Sequence, residues 1–353
     1  MTADETQTLN DIQHTTSTYI TPATESALYH SLRDHWHPVM YARDLGDDRP
    51  AGVTLLDEPV VVARLGGKVA AFRDLCVHRG AALSLGWIEN DRLRCAYHGW
   101  TYENSGRCVE VPARPDLPIP PGACLNSYKA VESGGLIWVC LGNPTFDVPR
   151  FSEFNDPNYR VMHGESYEWN TSAIRRIENF VDMAHFAWVH PNVLGSRDHP
   201  EVTDHEVWRD GRYLRFAHTV KEPSNGEIKE QLGIADPIFD VLNEYHLSMP
   251  LAIHVRRTFP TGDHYVLFMA SSPISQKRSK TFYFIVRDYA PDERFDQSFQ
   301  DFESLVLSQD KPIVESLRPE EIPMDLTKEM YIRTADAITV EYRRWLLELS
   351  KGY

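Results

Sequence analysis

From Pro59 to Phe72 the chain alternates two apolar runs rich in β-branched and small residues, PVVVARL and KVAAF, around Gly66-Gly67. That pattern predicts a hairpin. Short strands continue to LIWVCLG, ending near Gly142, and are interrupted by VPARPDLPIPPG. Pro112, Pro115, Pro118, Pro120 and Pro121 exclude helix and central strand there and predict a surface segment. Pro144, Pro149 and Pro157 then mark a boundary between about residues 143 and 158. Beyond it come a strand in YRVMHGESYEW, a helical stretch from Ile174 to Val189, and strand-like runs in RYLRFAHTV, LAIHVRRTF, DHYVLFMASS and KTFYFIVRDYA. Asp210-Gly211 signals a second hairpin. Two helical stretches, Gln297 to about Ser316 and Lys328 to Ser350, close the chain. The prediction is α+β, with an all-β domain over residues 25–150 and an antiparallel sheet under helices over residues 151–353. Residues 1–24 are polar and Thr-rich without period, which predicts a flexible tail, with order beginning near Ala27.

Composition narrows the function classes. The 353 residues carry a formal net charge of −15, which argues against binding nucleic-acid phosphates or an anionic membrane surface. No apolar run approaches the roughly 18 residues of a membrane span, and MTADETQTLNDIQHTTSTYI has neither a basic nor an apolar leader region. A cytoplasmic protein acting on a basic partner or a small molecule is expected. Five cysteines, an odd number, point to metal or redox chemistry rather than a disulfide framework.

Cys76 and His78 stand two apart, Cys95 and His98 three apart, and sixteen residues separate the pairs. Four such ligands suit a metal, and a tetrahedral Cys2His2 zinc site is the first alternative. Ligand order separates the readings. A zinc finger usually takes both Cys from one element and both His from another, whereas here each loop supplies one of each. The Cys pair can then hold one iron and the His pair the other, the Rieske [2Fe-2S] arrangement. Two neutral imidazoles in place of thiolates raise the cluster potential above that of plant-type ferredoxins. Cys108, Cys124 and Cys140 lie outside the motif and read as small buried apolar residues.

The stretch LCVHRGAALSLGWIENDRLRCAYHGWTY resembles the Rieske domain of bacterial ring-hydroxylating and demethylating oxygenases. Ala96 departs from it, since that family often has Pro there, but no ligand is lost. Further on, ENFVDMAHFAWVH resembles the E-N-x-x-D-x-x-H-x4-H signature of the same oxygenases' catalytic domain. The resemblance implies that His185 and His190 bind one Fe(II). Five residues rotate an ideal helix by about 500°, leaving the two rings about 140° apart, so a regular helix would not bring them together. Pro191 pushes His190 out of the α region, and a π-bulge would serve equally.

A facial triad needs a carboxylate as well, and Asp310, in SLVLSQDKPIVESLRP, matches the family's segment. Pro312 is expected to break the helix just after it, and the alternative is an ordinary capping Asp. Asp182 matches the family's inter-subunit electron bridge, which implies hydrogen bonds to His185 and to His98 of a neighbouring copy; a solvent-facing helical Asp is the other reading. Asn179 would stand near the iron, as a distant contact or as support, or simply make a local hydrogen bond. Glu303 and Leu307 share a helical face with Asp310 and are expected to approach the substrate, although a surface salt bridge is an equal reading of Glu303. His254 and Arg256 alternate on a strand whose pocket face parity cannot choose.

The resemblance runs from WHPV at Trp36 to EYRRWLLELS at the C-terminal end. It implies a β Rieske domain on a helix-grip catalytic domain, a head-to-tail homotrimer, and the oxygenase component of a multicomponent system using O2. No G-x-G-x-x-G fingerprint is present, so electrons from NAD(P)H are expected through a separate reductase, with or without a ferredoxin. The single-chain type, with QDKPIVES and EYRRWLLEL, is most similar to the branch of methylxanthine N-demethylases and dicamba and vanillate O-demethylases. N- or O-demethylation of an aromatic or heteroaromatic substrate with release of formaldehyde is therefore expected. The alternatives are ring or side-chain hydroxylation, an electron carrier lacking the second iron, and a structural zinc protein.

Overall fold

The computed structural model describes residues 22–224, 226–332 and 334–351. Most of the expected tail, residues 1–21, lies outside the described residues. Helix α1, Pro22–Ser31, begins five residues ahead of Ala27, with proline in the first-turn position it tolerates.

The N-terminal block is built from two antiparallel sheets. In the six-stranded one, His37–Tyr41, Leu136–Cys140, Ser127–Ser133, Lys68–Arg73, Glu58–Leu65 and Ala51–Leu55 lie side by side in that order. Gly66 and Gly67 turn its central hairpin with φ of +59° and +73°, as expected of a two-residue turn. In the four-stranded one, Trp87–Glu89, Arg92–Arg94, Thr101–Tyr102 and Cys108–Glu110 follow each other. The proline-rich segment forms neither helix nor strand and lies largely exposed.

The C-terminal block is one eight-stranded antiparallel sheet. The predicted hairpin is present, with Gly211 and Arg212 between the paired Asp210 and Tyr213. Its strands His264–Ser275 and Arg278–Arg287 read as nearly continuous apolar runs because both faces are covered. Val266, Phe268 and Ala270 pack with Tyr41, Leu136 and Trp138 of the N-terminal block. The alternate residues Leu267 and Met269 share the main core with Ile177 and Phe299, from the helices on the opposite face. Backbone N–H of Tyr283 donates to the Tyr41 hydroxyl, and that hydroxyl donates to the Tyr283 carbonyl, both at 3.2 Å, tying the blocks together.

The remaining helices are α2 (Ala173–Val181), α3 (Phe186–Val189), α4 (Gly226–Leu232), α5 (Asp296–Val314) and α6 (Ala337–Leu349). Three expectations need correction. The helical stretch Ile174–Val189 is two helices, parted at Asp182. Pro312 lies inside α5 and does not end it at Asp310; the ring removes only its own donor, and Glu315 N–H still reaches the Lys311 carbonyl at 2.9 Å. The last helix begins at Ala337 rather than Lys328, because the preceding segment is drawn into an ion network where Arg343 meets Glu329 at 2.7 Å. Among the described residues no helix is long and apolar enough to cross a membrane.

Candidate active site

Two motif loops hang from the hairpin Trp87–Glu89/Arg92–Arg94, and they close in the same way. Gly80 N–H donates to the Cys76 carbonyl at 2.8 Å, and Gly99 N–H to the Cys95 carbonyl at 3.0 Å. Both glycines have φ near the left-handed region, +70° and +72°, which a side chain would strain. The loops bury Cys76 and Cys95 and leave His78 half-buried and His98 exposed. The imidazole centroids are 4.5 Å apart, and His78 stacks on Trp100 at 4.7 Å. Cys76 Sγ lies 3.1 Å from the Tyr102 hydroxyl. Burial pushes the Cys95 thiol up, against backbone N–H bonds from Tyr97 and His98 that favour a thiolate. Buried Nδ1 of His78 has no hydrogen-bond partner. Two thiols with waiting backbone donors inside and two imidazoles outside fit a two-iron cluster. Cys108 and Cys140 are buried as expected, but Cys124 is exposed, which corrects its reading as a buried apolar residue.

The second site assembles at the broken helix. Ser172 caps α2, its hydroxyl accepting from Arg175 N–H at 3.0 Å. At the far end Asp182 leaves the helical region with ψ 122°, and its carboxylate accepts from Ala184 N–H at 2.8 Å. That local bond turns the chain, so His185 and His190 flank the single turn α3 instead of riding one regular helix. His190, ahead of Pro191, takes φ −117° and ψ 48°. Ligand atoms of His185, His190 and Asp310 all lie within 4.8 Å of one another.

Protonation explains what belongs between them. His190 Nδ1 lies 2.8 Å from the Gln309 side-chain oxygen, an acceptor, so Nδ1 carries the proton and Nε2 a lone pair. That lone pair faces Asp310 Oδ1 at 3.1 Å. Burial works to raise the Asp310 carboxyl, but a proton held on His190 Nε2 and the Arg176 charge keep it below the usual carboxylate range. Without a cation between them, a proton or a metal ion, a carboxylate and an imidazole lone pair at this distance repel. His185 adds Nε2, 3.5 Å from the same oxygen, with Nδ1 3.3 Å from Asp182 Oδ2. Two imidazoles and one carboxylate on one side of a cavity suit Fe(II) with positions left open.

The cavity above this triad holds about 600 Å³ of atom-free space, counted to its open mouth. Phe180, Phe186, Phe302 and Leu194 give it an apolar wall. Glu303 and Leu307 both line it, and Glu303 is buried and accepts from the Tyr265 hydroxyl. Asn179 lines it too, its amide 3.5 Å from Asp310. His254 and Arg256 point to the opposite face, where both contact Glu153, at 3.1 and 3.2 Å. Their odd-numbered neighbours Val255 and Arg257 face the cavity instead. Sequence reasoning missed Gln309, Arg176, Asn243, Tyr245, Tyr265 and Arg257. Only a known neighbour, such as Leu267 packed toward the helices, fixes which strand parity faces inward.

Residues 35–128 match the Rieske [2Fe-2S] domain family, and residues 169–352 match the vanillate O-demethylase oxygenase C-terminal domain. The chain belongs to the Rieske non-haem iron oxygenases. This oxygenase is 36% identical over 331 residues to methylxanthine N1-demethylase NdmA of Pseudomonas putida, covering 91% of this chain and 90% of that one. It is 36% identical over 345 residues to methylxanthine N3-demethylase NdmB of the same organism, covering 93% and 92%. The solved structure of NdmA with caffeine superposes with a TM-score of 0.81 at 34% identity, covering 92% of this chain and 93% of that one. This oxygenase therefore carries a Rieske cluster and a mononuclear iron on His185, His190 and Asp310, and it oxidises an aromatic or heteroaromatic substrate with O2.

Proposed function

We propose that this chain is the terminal oxygenase of a demethylating system, removing an N- or O-bound methyl group from a heteroaromatic or aromatic compound. The observation that carries the reading is the triad of His185, His190 and Asp310 at the base of an aromatic-walled cavity, in a chain similar along most of its length to two N-demethylases. Iron held there supplies O2 activation and oxidation of a nearby C–H bond. Overall, R–CH3, O2, two electrons and two protons give R–CH2OH and water. On nitrogen or oxygen the hydroxymethyl group then collapses to R–H and formaldehyde.

The chain's own residues hold the substrate. Phe180, Phe186 and Phe302 exclude water and stack on a flat ring, while Glu303 with Tyr265 meets a polar edge and Leu307 bounds the methyl side. In this reading Cys76 and Cys95 hold one iron of the cluster and His78 and His98 the other, within a Rieske domain of residues 25–150 that precedes a catalytic domain of residues 151–353.

Asp182 is the electron bridge. It reaches His185 with one oxygen, and 35% of its side chain remains exposed for a second partner. In this reading the second partner is the imidazole of His98 in another copy of the chain. Exposed Val77 and Tyr97 beside the cluster, and exposed Trp188 beside the iron, supply apolar area for such a contact in a head-to-tail trimer. A separate NAD(P)H-dependent reductase, with or without a ferredoxin, feeds the cluster. A cytoplasmic location fits five unbridged cysteines and that electron source.

The test is anaerobic purification, iron and sulfide analysis with EPR of the reduced protein, then turnover of methylated heteroaromatics with NADH and a reductase. Three irons and two sulfides per chain, and one formaldehyde per substrate consumed, support the proposal. Hydroxylated product with its methyl group retained, and no formaldehyde, assigns ring or side-chain hydroxylation instead.

A further inference from the structure

Arg176 is a guanidinium sealed inside the protein, 1% exposed, beside the iron site. Other buried arginines meet carboxylates: Arg175 and Arg343 contact Glu178, and Arg287 contacts Asp296. Among the described residues Arg176 has no carboxylate partner. Its Nη1 donates to Asn179 Oδ1 at 2.6 Å, Nε to the Tyr167 hydroxyl at 2.9 Å, and Nη2 to Met269 Sδ at 3.7 Å. Trp169 and Phe180 present their ring faces to it at 4.6 and 5.1 Å. A buried charge whose direct partners are all neutral acceptors and π faces, and which feels the Asp310 and Glu303 carboxylates only through space, is costly, and a hydrophobic residue would fill the space at less cost.

The function lies in what a guanidinium cannot do. It has donors and no acceptor, so the Asn179 oxygen must face it. The amide nitrogen is then turned the other way, 3.5 Å from Asp310 Oδ1. We propose that Arg176 is a positioning residue for the iron centre, holding Asn179 so that its amide donates to Asp310 and never offers its oxygen to the metal. The inference rests on the iron site and is independent of which substrate the cavity takes. Arg176 also places a fixed positive charge near the cation.

The experiment uses the full chain, anaerobic and free of mononuclear iron, titrated with Fe(II) alone and then probed with nitric oxide by EPR. Arg176→Met removes the charge and frees the amide to turn. Its Fe(II) affinity is expected to equal or exceed the wild type's, since repulsion is lost and a further oxygen is gained. The ferrous-nitrosyl signal is expected to change shape, and turnover to fall about ten- to a hundredfold. Adding Asn179→Leu should cancel the spectral change, because both variants act through one amide. A wild-type signal in Arg176→Met, a change that persists in the double variant, or weaker iron binding together with a lower Tm each overturn the proposal. Asn179→Asp keeps the test open if Arg176→Met does not fold. It puts an oxygen where the amide nitrogen stands, so a signal and affinity identical to wild type would also overturn it.

Discussion

The side-chain oxygen of Gln309 sits 2.8 Å from Nδ1 of His190 and so decides which nitrogen of that ring is free. Gln309 precedes Asp310 on α5, and one helical segment therefore supplies both the carboxylate and the anchor of a histidine from another helix. Gln309→Leu leaves that ring unanchored. We expect Fe(II) affinity to fall about ten- to a hundredfold, with the Rieske EPR signal unchanged. Iron titration of the variant measures it, and an unaltered affinity would remove Gln309 from the site.

Asp182 separates iron binding from electron supply. Asp182→Asn retains an acceptor for Ala184 N–H and the turn between α2 and α3. The variant should bind iron normally and its cluster should reduce normally, while turnover drops at least a hundredfold. Rapid mixing of reduced protein with O2 and substrate would show the cluster remaining reduced. Oxidation at the wild-type rate would sink the bridging role.

Glu303 is buried, and burial pushes its carboxyl up despite the Tyr265 hydrogen bond and the Arg257 charge. The protonated form is the one stabilised. Glu303→Gln imitates it, and kcat/KM is expected to stay within about threefold of wild type, whereas Glu303→Leu should lose about tenfold for one hydrogen bond. As pH rises and Glu303 ionises, wild-type kcat/KM should decline on a limb that the Gln variant lacks. Identical pH profiles would show that Glu303 does not titrate against substrate.

His218 gives a stability signature that involves no metal ligand. It is 6% exposed, neither ring nitrogen has a hydrogen-bond partner, and burial first, then His205, pulls its pKa down to about 3. The unfolded chain protonates near 6.5, so the folded state is fully favoured above that pH and loses ground as pH falls toward 3. Between pH 7 and 5 the loss is about 2 kcal/mol. His218→Phe should flatten this slope in urea unfolding, and an unchanged slope would assign acid sensitivity elsewhere.

Local chemistry made some of this site readable in the sequence. Cys76, His78, Cys95 and His98 advertise themselves by type and spacing, and Pro191 announced that His190 leaves the helix. The break at Asp182 stayed hidden, because a side chain accepting from the backbone two residues on looks like any helical Asp. Pro312 misled for the converse reason: it removes one donor, yet the backbone closes past it through Glu315 N–H on the Lys311 carbonyl. The cavity wall was illegible where it depends on strand parity, since His254 and Arg256 differ from Val255 and Arg257 by one residue and by an entire face of the sheet. Arg176 and Gln309 were illegible too, because their meaning lies in partners that only folding supplies.

The hairpin Trp87–Glu89/Arg92–Arg94, turned at Asn90 and Asp91 with φ of +50° and +58°, joins the two motif loops. Of the sixteen residues between His78 and Cys95, the last eight are thus a length of ribbon and not a chemical requirement. A ribbon can be extended only in matched steps, one residue on each strand, because a single added residue turns every later side chain over. Insertions of two at its tip should preserve the cluster, and insertions of one should abolish it. The ruler of the motif therefore counts in pairs.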